Sequence, residues 1–312
     1  MTERIFDTKN VILLKVNDDD LLSFLVDTDL MDSGEYNWRI DDLIEAIISV
    51  VPEYVFADYI GESVPITKMV ERLREAAKSI YKIKDYELMY RAYALCDEQA
   101  KQEVENGSFK RRGEFGELLL HLLLREFKGT IPLVSKVYFK DSAGVPAHGF
   151  DAVHISPNEG ILWLGESKLY TDAKGGIKAL LSDLEEHIKR EYLDEQFVII
   201  KKNLENNSIP QRDYWIGQLS SCVKLSERLK MINIPLLCVY PDEIYSRFFD
   251  VEDSQAFDVH VNDVYGLKKY FEEHNMHALK SQLNIILMLF SIKDKDEFLT
   301  KLHQKLWHMQ NI

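Results

Sequence analysis

The sequence predicts a mixed α/β fold, and three observations carry the prediction. From Pro65 to Phe127 apolar residues recur at three- and four-residue spacing. Between residues 131 and 170 the pattern changes to short apolar runs divided by turn-rich segments. Beyond residue 171 an amphipathic stretch and compact apolar runs follow one another, as expected of helices packed on a sheet.

In chain order, residues 1–60 mix apolar runs such as NVILLKV with acidic turns and one helix, DDLIEAIISVV. The helical pattern after Pro65 runs to the NGS break at 106–108, and a second helix, GEFGELLLHLLLREF, ends at Gly129. IPLVSKVYFK (131–140) reads as a strand. FDAVHI and ILWLGESKLY, joined by SPNEG, read as an antiparallel hairpin that completes a three-strand meander. IKALLSDLEEHIKREYL is helical, and EQFVIIKKNLE fits either its continuation or another strand. IPLLCVYP (234–241) and LNIILMLFSI are strands, and DEFLTKLHQKLWHM is a C-terminal helix. Two regions are expected: an acidic N-terminal α/β region over 1–105, suited to partner docking or regulation, and a main domain over 106–312.

The bulk properties narrow the function classes. The chain has 312 residues, of which 46% are hydrophobic, enough for a sizeable core. The N-terminus has no apolar signal region, and IILMLF at 285–290 is too short to span a bilayer. Three widely spaced cysteines (Cys96, Cys222, Cys238) form no metal or disulfide pattern and are expected as small buried hydrophobes in a reducing, cytoplasmic setting. Fourteen acids and four bases within residues 1–60 account for −10 of the net charge of −14, leaving −4 for the rest. That distribution leaves room for a local basic surface in the remainder.

Three charged residues lie in the hairpin: Asp151 in the first run, Glu166 and Lys168 in the second. A turn centred near Asn158 sets Asp151 opposite Gly165, one step from Glu166, with Glu166 and Lys168 on one face. Two carboxylates so close repel unless a proton or a cation lies between them, and a hard ion such as Mg²⁺, or Mn²⁺ in its place, suits oxygen donors. The pattern Asp/Glu-x-Lys occurs four times, at Asp7, Glu126, Glu166 and Asp172. Only the Glu166 copy ends an apolar strand whose neighbour also carries an acid, so context rather than the tripeptide selects it.

Other residues extend the set. Glu114 and Glu117 lie one turn apart at the start of the 114–128 helix, where acids also suit the helix dipole. Lys174 and Lys178 follow the motif and Lys110, Arg111 and Arg112 precede the helix, candidates for a phosphate-binding groove diluted by Asp183, Glu185 and Glu186. Trp163 reads as core, and His148 and His154 as structural. No Walker-type phosphate loop occurs, so an ATP-driven step would need a partner.

The order acid-bearing helix, strand, GFD strand, ESK strand, helix, strand resembles the PD-(D/E)xK nuclease superfamily, with Phe150 where proline is usual. More narrowly, RRGEFGELLLHLLL, HGFDAVHI and LWLGESKLY resemble the HamA family, the nuclease subunit of the Hachiman anti-phage system; the likeness covers about residues 110–190. The resemblance implies a restriction-endonuclease-like core and a Mg²⁺-dependent DNA endonuclease of little sequence specificity. It also implies control by a HamB-like helicase subunit. Asp151 and Glu166 would be metal ligands, Lys168 would position or deprotonate the attacking water, and Glu117, or else Glu114, would complete the site. The rival expectations are a repair or restriction-type nuclease with another partner, and a non-catalytic module of a helicase complex.

Overall fold

In a computed structural model the strand-like runs assemble into one seven-stranded mixed sheet covered on both faces by helices. The structure describes residues 8, 11–56, 65–81, 86–107, 113–133, 149–206, 209–220, 222–248 and 254–312. The strands are β1 (Ile12–Asn17), β2 (Leu21–Val26), β3 (Thr28–Leu30), β4 (Tyr36–Trp38), β5 (Ile131–Pro132), β6 (Ala152–Ser156), β7 (Ile161–Leu169), β8 (Ile232–Pro241) and β9 (Asn284–Ile292). Their order in the sheet is β1-β2-β9-β8-β7-β6-β5, and β3 and β4 form a separate ribbon. The middle pairings, β2–β9, β9–β8 and β8–β7, are parallel, while β1–β2, β7–β6 and β6–β5 are antiparallel. Parallel strands must be covered on both faces, which is why β8 and β9 read as nearly continuous apolar runs.

The N-terminal helices are α1 (Ile40–Ser49), α2 (Val51–Phe56), α3 (Ile66–Ile80), α4 (Tyr86–Tyr93) and α5 (Glu98–Glu105). They are followed by α6 (Glu114–Lys128), α7 (Ala173–His187), α8 (Arg190–Asn206), α9 (Arg212–Gln218), α10 (Leu225–Lys230), α11 (Ile244–Arg247), α12 (Ser254–His274) and α13 (Lys295–Gln310). One apolar layer joins Phe24, Trp163, Leu237 and Phe290 of the sheet to α1, α6 and α13. The other joins Leu162, Leu164, Leu236 and Leu289 to α7, α8 and α12. Strand alternation divides them, Trp163 entering the first layer and its neighbours Leu162 and Leu164 the second. Each fully buried Leu or Phe in these layers contributes about 1.5–3 kcal/mol. Gly129 adopts φ 59° and its N–H bonds the Leu124 carbonyl, the left-handed stop expected at that glycine.

Several expectations meet corrections. Of the strand expected over 131–140, Ile131–Pro132 pairs with β6, and residues 134–148 lie outside the described residues. EQFVIIKKNLE is helix, because α8 buries Leu193, Phe197, Ile200 and Leu204 at helical spacing. Cys238 is buried, but Cys96 and Cys222 are exposed: both lie in turns between helices that need no apolar filler. β1 and β2, from the acidic N-terminal segment, pair with β9 near the C-terminus, so residues on both sides of 105/106 share one sheet. Among the described residues no helix is long and apolar enough to cross a membrane.

Candidate active site

The charged hairpin residues gather where β6 begins and β7 ends. Ser156 pairs with Ile161 and Ala152 with Gly165, so the turn is centred between Asn158 and Glu159. Asp151, just before β6, therefore falls level with Glu166 rather than with Gly165, half a residue from the expected turn centre. Glu166 and Lys168 share one face, as the period of two requires, and that face is covered by α7. Ser167 points to the opposite face, against α6. There, a β-carbon on Gly116 would stand 3.1 Å from Ser167 Oγ, so a glycine permits this close approach. On the α7 side Gly176 plays the same part, since a β-carbon would stand 2.4 Å from Cys238 Sγ.

An open cleft of about 710 Å³ lies here, lined by Glu117 of α6, Asp151, Ser167 and Lys168, by Asp183 of α7 and by Lys295 of α13. Asp151 is half-buried; its Oδ2 accepts from the Ser167 amide at 2.8 Å and the Ser167 hydroxyl at 2.9 Å. Burial, then the nearby charges of Glu117 and Glu166, push its carboxyl well above the usual range, against the two Ser167 hydrogen bonds. Glu166 is only 3% exposed and stands behind the cleft wall, its Oε1 2.6 Å from His187 Nδ1. Burial raises Glu166 against the pull of His187, while the carboxylate raises His187 despite that ring's own burial. Lys168 forms an ion pair with Asp183. Burial would lower its pKa, but Asp183 with Asp151 and Glu166 outweighs it, so Lys168 stays an ammonium. Tyr54 of α2 donates a hydrogen bond to Glu117, and burial with that negative neighbour raises the phenol well above its usual pKa.

The structure thus brings together Asp151, Glu166, Lys168 and Glu117. Glu114, half-buried and one turn earlier, is not among the residues lining the cleft. Lys174 and Lys178 are exposed on α7, Lys174 with its ammonium 5.4 Å from the Tyr270 ring. Lys110, Arg111, Arg112 and His148 lie outside the described residues. Sequence reasoning missed four participants: Tyr54, Asp183, His187 and Lys295. Asp183 and His187 had a readable signal. They are four apart on a helix and so face the pair two apart on the adjoining strand, Lys168 and Glu166. Tyr54 and Lys295 come from distant elements and left no local pattern.

A second polar cluster borders the first on α6. His121 and Arg125 both bind Glu53 of α2, at 2.9 Å and 2.6 Å, and Arg125 also donates to the Thr130 carbonyl. His121 Nδ1 lies 3.0 Å from His154 Nε2, and His154 Nδ1 lies 2.8 Å from Thr130 Oγ1. Burial holds both imidazoles below their usual pKa, His154 well below, with added repulsion from Arg125. With both rings neutral and Glu53 an acceptor only, the protons run one way, from Thr130 through His154 and His121 to Glu53. His154 is buried within this hydrogen-bond network.

Among the described residues no group of three or more His, Cys, Asp or Glu side chains stands ready-made around a metal position. In the candidate site hydrogen bonds from Ser167, His187 and Tyr54 engage the carboxylates. Mg²⁺ characteristically binds through one or two carboxylates and keeps several waters, so a full protein cage is not required. The donor set, hard oxygens with a local excess of negative charge, fits that ion. No curated protein matches the chain. A family model described as HamA matches residues 3–306 of the 312, and the chain belongs to the HamA family.

Proposed function

We propose that the chain is a Mg²⁺-dependent deoxyribonuclease of the PD-(D/E)xK type, acting in Hachiman anti-phage defence under a HamB-like helicase partner. The observation that carries this reading is Asp151, held on the cleft wall with its proton affinity raised by burial beside Glu117 and Glu166. An acid so perturbed, with specific charged neighbours in a cleft, is a candidate for a functional site. Bound there through Asp151 with Glu166 or Glu117, the metal would supply Lewis acidity and an activated water. Lys168, kept as an ammonium by Asp183, orients that water by hydrogen bonding and steadies negative charge gathering on the phosphate. Ser167 fixes the Asp151 carboxylate through two hydrogen bonds, and His187 fixes Glu166. Purified protein with Mg²⁺ or Mn²⁺ is expected to degrade plasmid DNA, and Glu166→Ala and Lys168→Ala to stop it; two variants that cut like the parent would sink the site assignment.

One observation favours the rival reading, a non-catalytic module: each of the cleft's named carboxylates already has an internal partner. A Mg²⁺-induced thermal shift that disappears in Asp151→Asn supports the nuclease, and no shift together with no cleavage supports the module.

A further inference from the structure

We infer that Lys295 is the residue that grips a DNA phosphate in the cleft. This rests on the nuclease reading and extends it to a residue far from the motif in sequence. The cleft wall carries three carboxylates, Glu117, Asp151 and Asp183, so a polyanionic strand enters only where a cation receives it. Lys168, paired with Asp183, is assigned to the phosphate that is cut, so the neighbouring phosphate needs a second cation.

Lys295 is placed differently. It is the first residue of α13, lines the same cleft and is half-buried. Its Nζ lies 3.0 Å from the carbonyl oxygen of Leu169, the residue directly after Lys168. Among the described residues it forms no ion pair, and a neutral carbonyl uses only one of its three donors. Burial lowers its pKa, so an incoming anion restores what the ammonium has lost in hydration. The end of α13 does not itself supply the anion site, because Asp294 Oδ1 already accepts from the Glu297 amide at 2.7 Å. The ligand class is therefore a phosphodiester, held by a non-bridging oxygen beside the phosphate that the attacking water cleaves.

The test uses the full chain. On a Glu166→Ala background, in which cutting is expected to stop, labelled duplex is titrated at several salt concentrations against Lys295→Met, Lys295→Gln and Lys295→Arg. Removing one charged hydrogen bond is expected to weaken binding about tenfold in the Met variant. Loss of one phosphate contact should make the log–log salt slope shallower by about 0.9 in both neutral variants, while Arg retains the parent slope. In the cutting background Lys295→Met should show the larger part of its loss in KM. Unchanged affinity and slope in Met and Gln, while the wild type still cuts DNA, overturns the role of Lys295 and leaves the nuclease reading standing. A wild type that neither cuts nor binds DNA overturns both.

Discussion

Helix α6 carries two polar clusters that are built in opposite ways. Near its start Glu117 joins Asp151 and Glu166, and burial together with mutual repulsion pushes the Asp151 carboxyl up. One and two turns later His121 and Arg125 join Glu53, where burial also acts to raise the carboxyl but hydrogen bonds and charge from His121 and Arg125 lower it on balance. The second cluster is a finished structural network, in which each charge and ring nitrogen that faces the core has a partner. The first holds more negative charge than its own cations neutralise. Burial is common to both clusters; the direction in which the carboxylates are shifted is what differs.

The largest expected effect lies in the first cluster. Lys168→Ala should reduce DNA cleavage by about 10²–10⁴ while leaving the melting temperature close to that of the parent. A variant that unfolds instead would make Lys168 a structural residue and erase the contrast. Arg125→Ala should do the reverse. It leaves Glu53 buried without its cation, which costs about 3–5 kcal/mol in a chemical denaturation experiment. Arg125→Ala that melts normally yet no longer cuts would move the second cluster into the active site.

A smaller effect has the opposite sign in the two clusters. The Asp151 pKa is raised on folding, so its carboxyl adds stability below the unfolded value of about 3.9 and that stability is lost as pH rises through the folded value. In chelator, Asp151→Asn should therefore raise the melting temperature at neutral pH, and the gain should disappear in acid. Mg²⁺ should stabilise the parent by mass action but not Asp151→Asn. The His121 and His154 pKa values are lowered on folding, so their cluster loses stability as pH falls below the unfolded value of about 6.5. A pH profile of melting for Asp151→Asn and for the parent separates the two contributions.

The two clusters also differ in how far they could be read from sequence. Asp151, Glu166 and Lys168 announced themselves because charge in an apolar strand is conspicuous, and strand alternation then put Glu166 and Lys168 on one face. Asp183 and His187 carried a weaker signal, their four-residue spacing, which looks like solvated surface until the strand beneath is known. The second cluster left almost no trace: Glu53, His121 and His154 come from three distant elements, and only the packing of α2 on α6 joins them. Of the fold, β8, β9, α6 and α13 follow from uninterrupted periodicity. α12 does not, because its exposed Phe257 and Tyr265 blur the apolar stripe that Val264 and Phe271 form.

The smallest effect tests the direction of the proton chain. Thr130 is fully buried, and its hydroxyl donates to His154 Nδ1 if both rings are neutral and Glu53 is ionised. Thr130→Val keeps the volume but leaves that nitrogen without a donor, which should cost about 1–3 kcal/mol. The rings report the direction independently of stability. In the parent, ¹⁵N shifts should show a proton on Nε2 of both His121 and His154 and a bare Nδ1 on each, as Glu53 acting only as acceptor requires. A proton on His154 Nδ1 would reverse the chain and require a charged His121. The second cluster would then also be electrostatically unfinished, and the contrast along α6 would be one of degree.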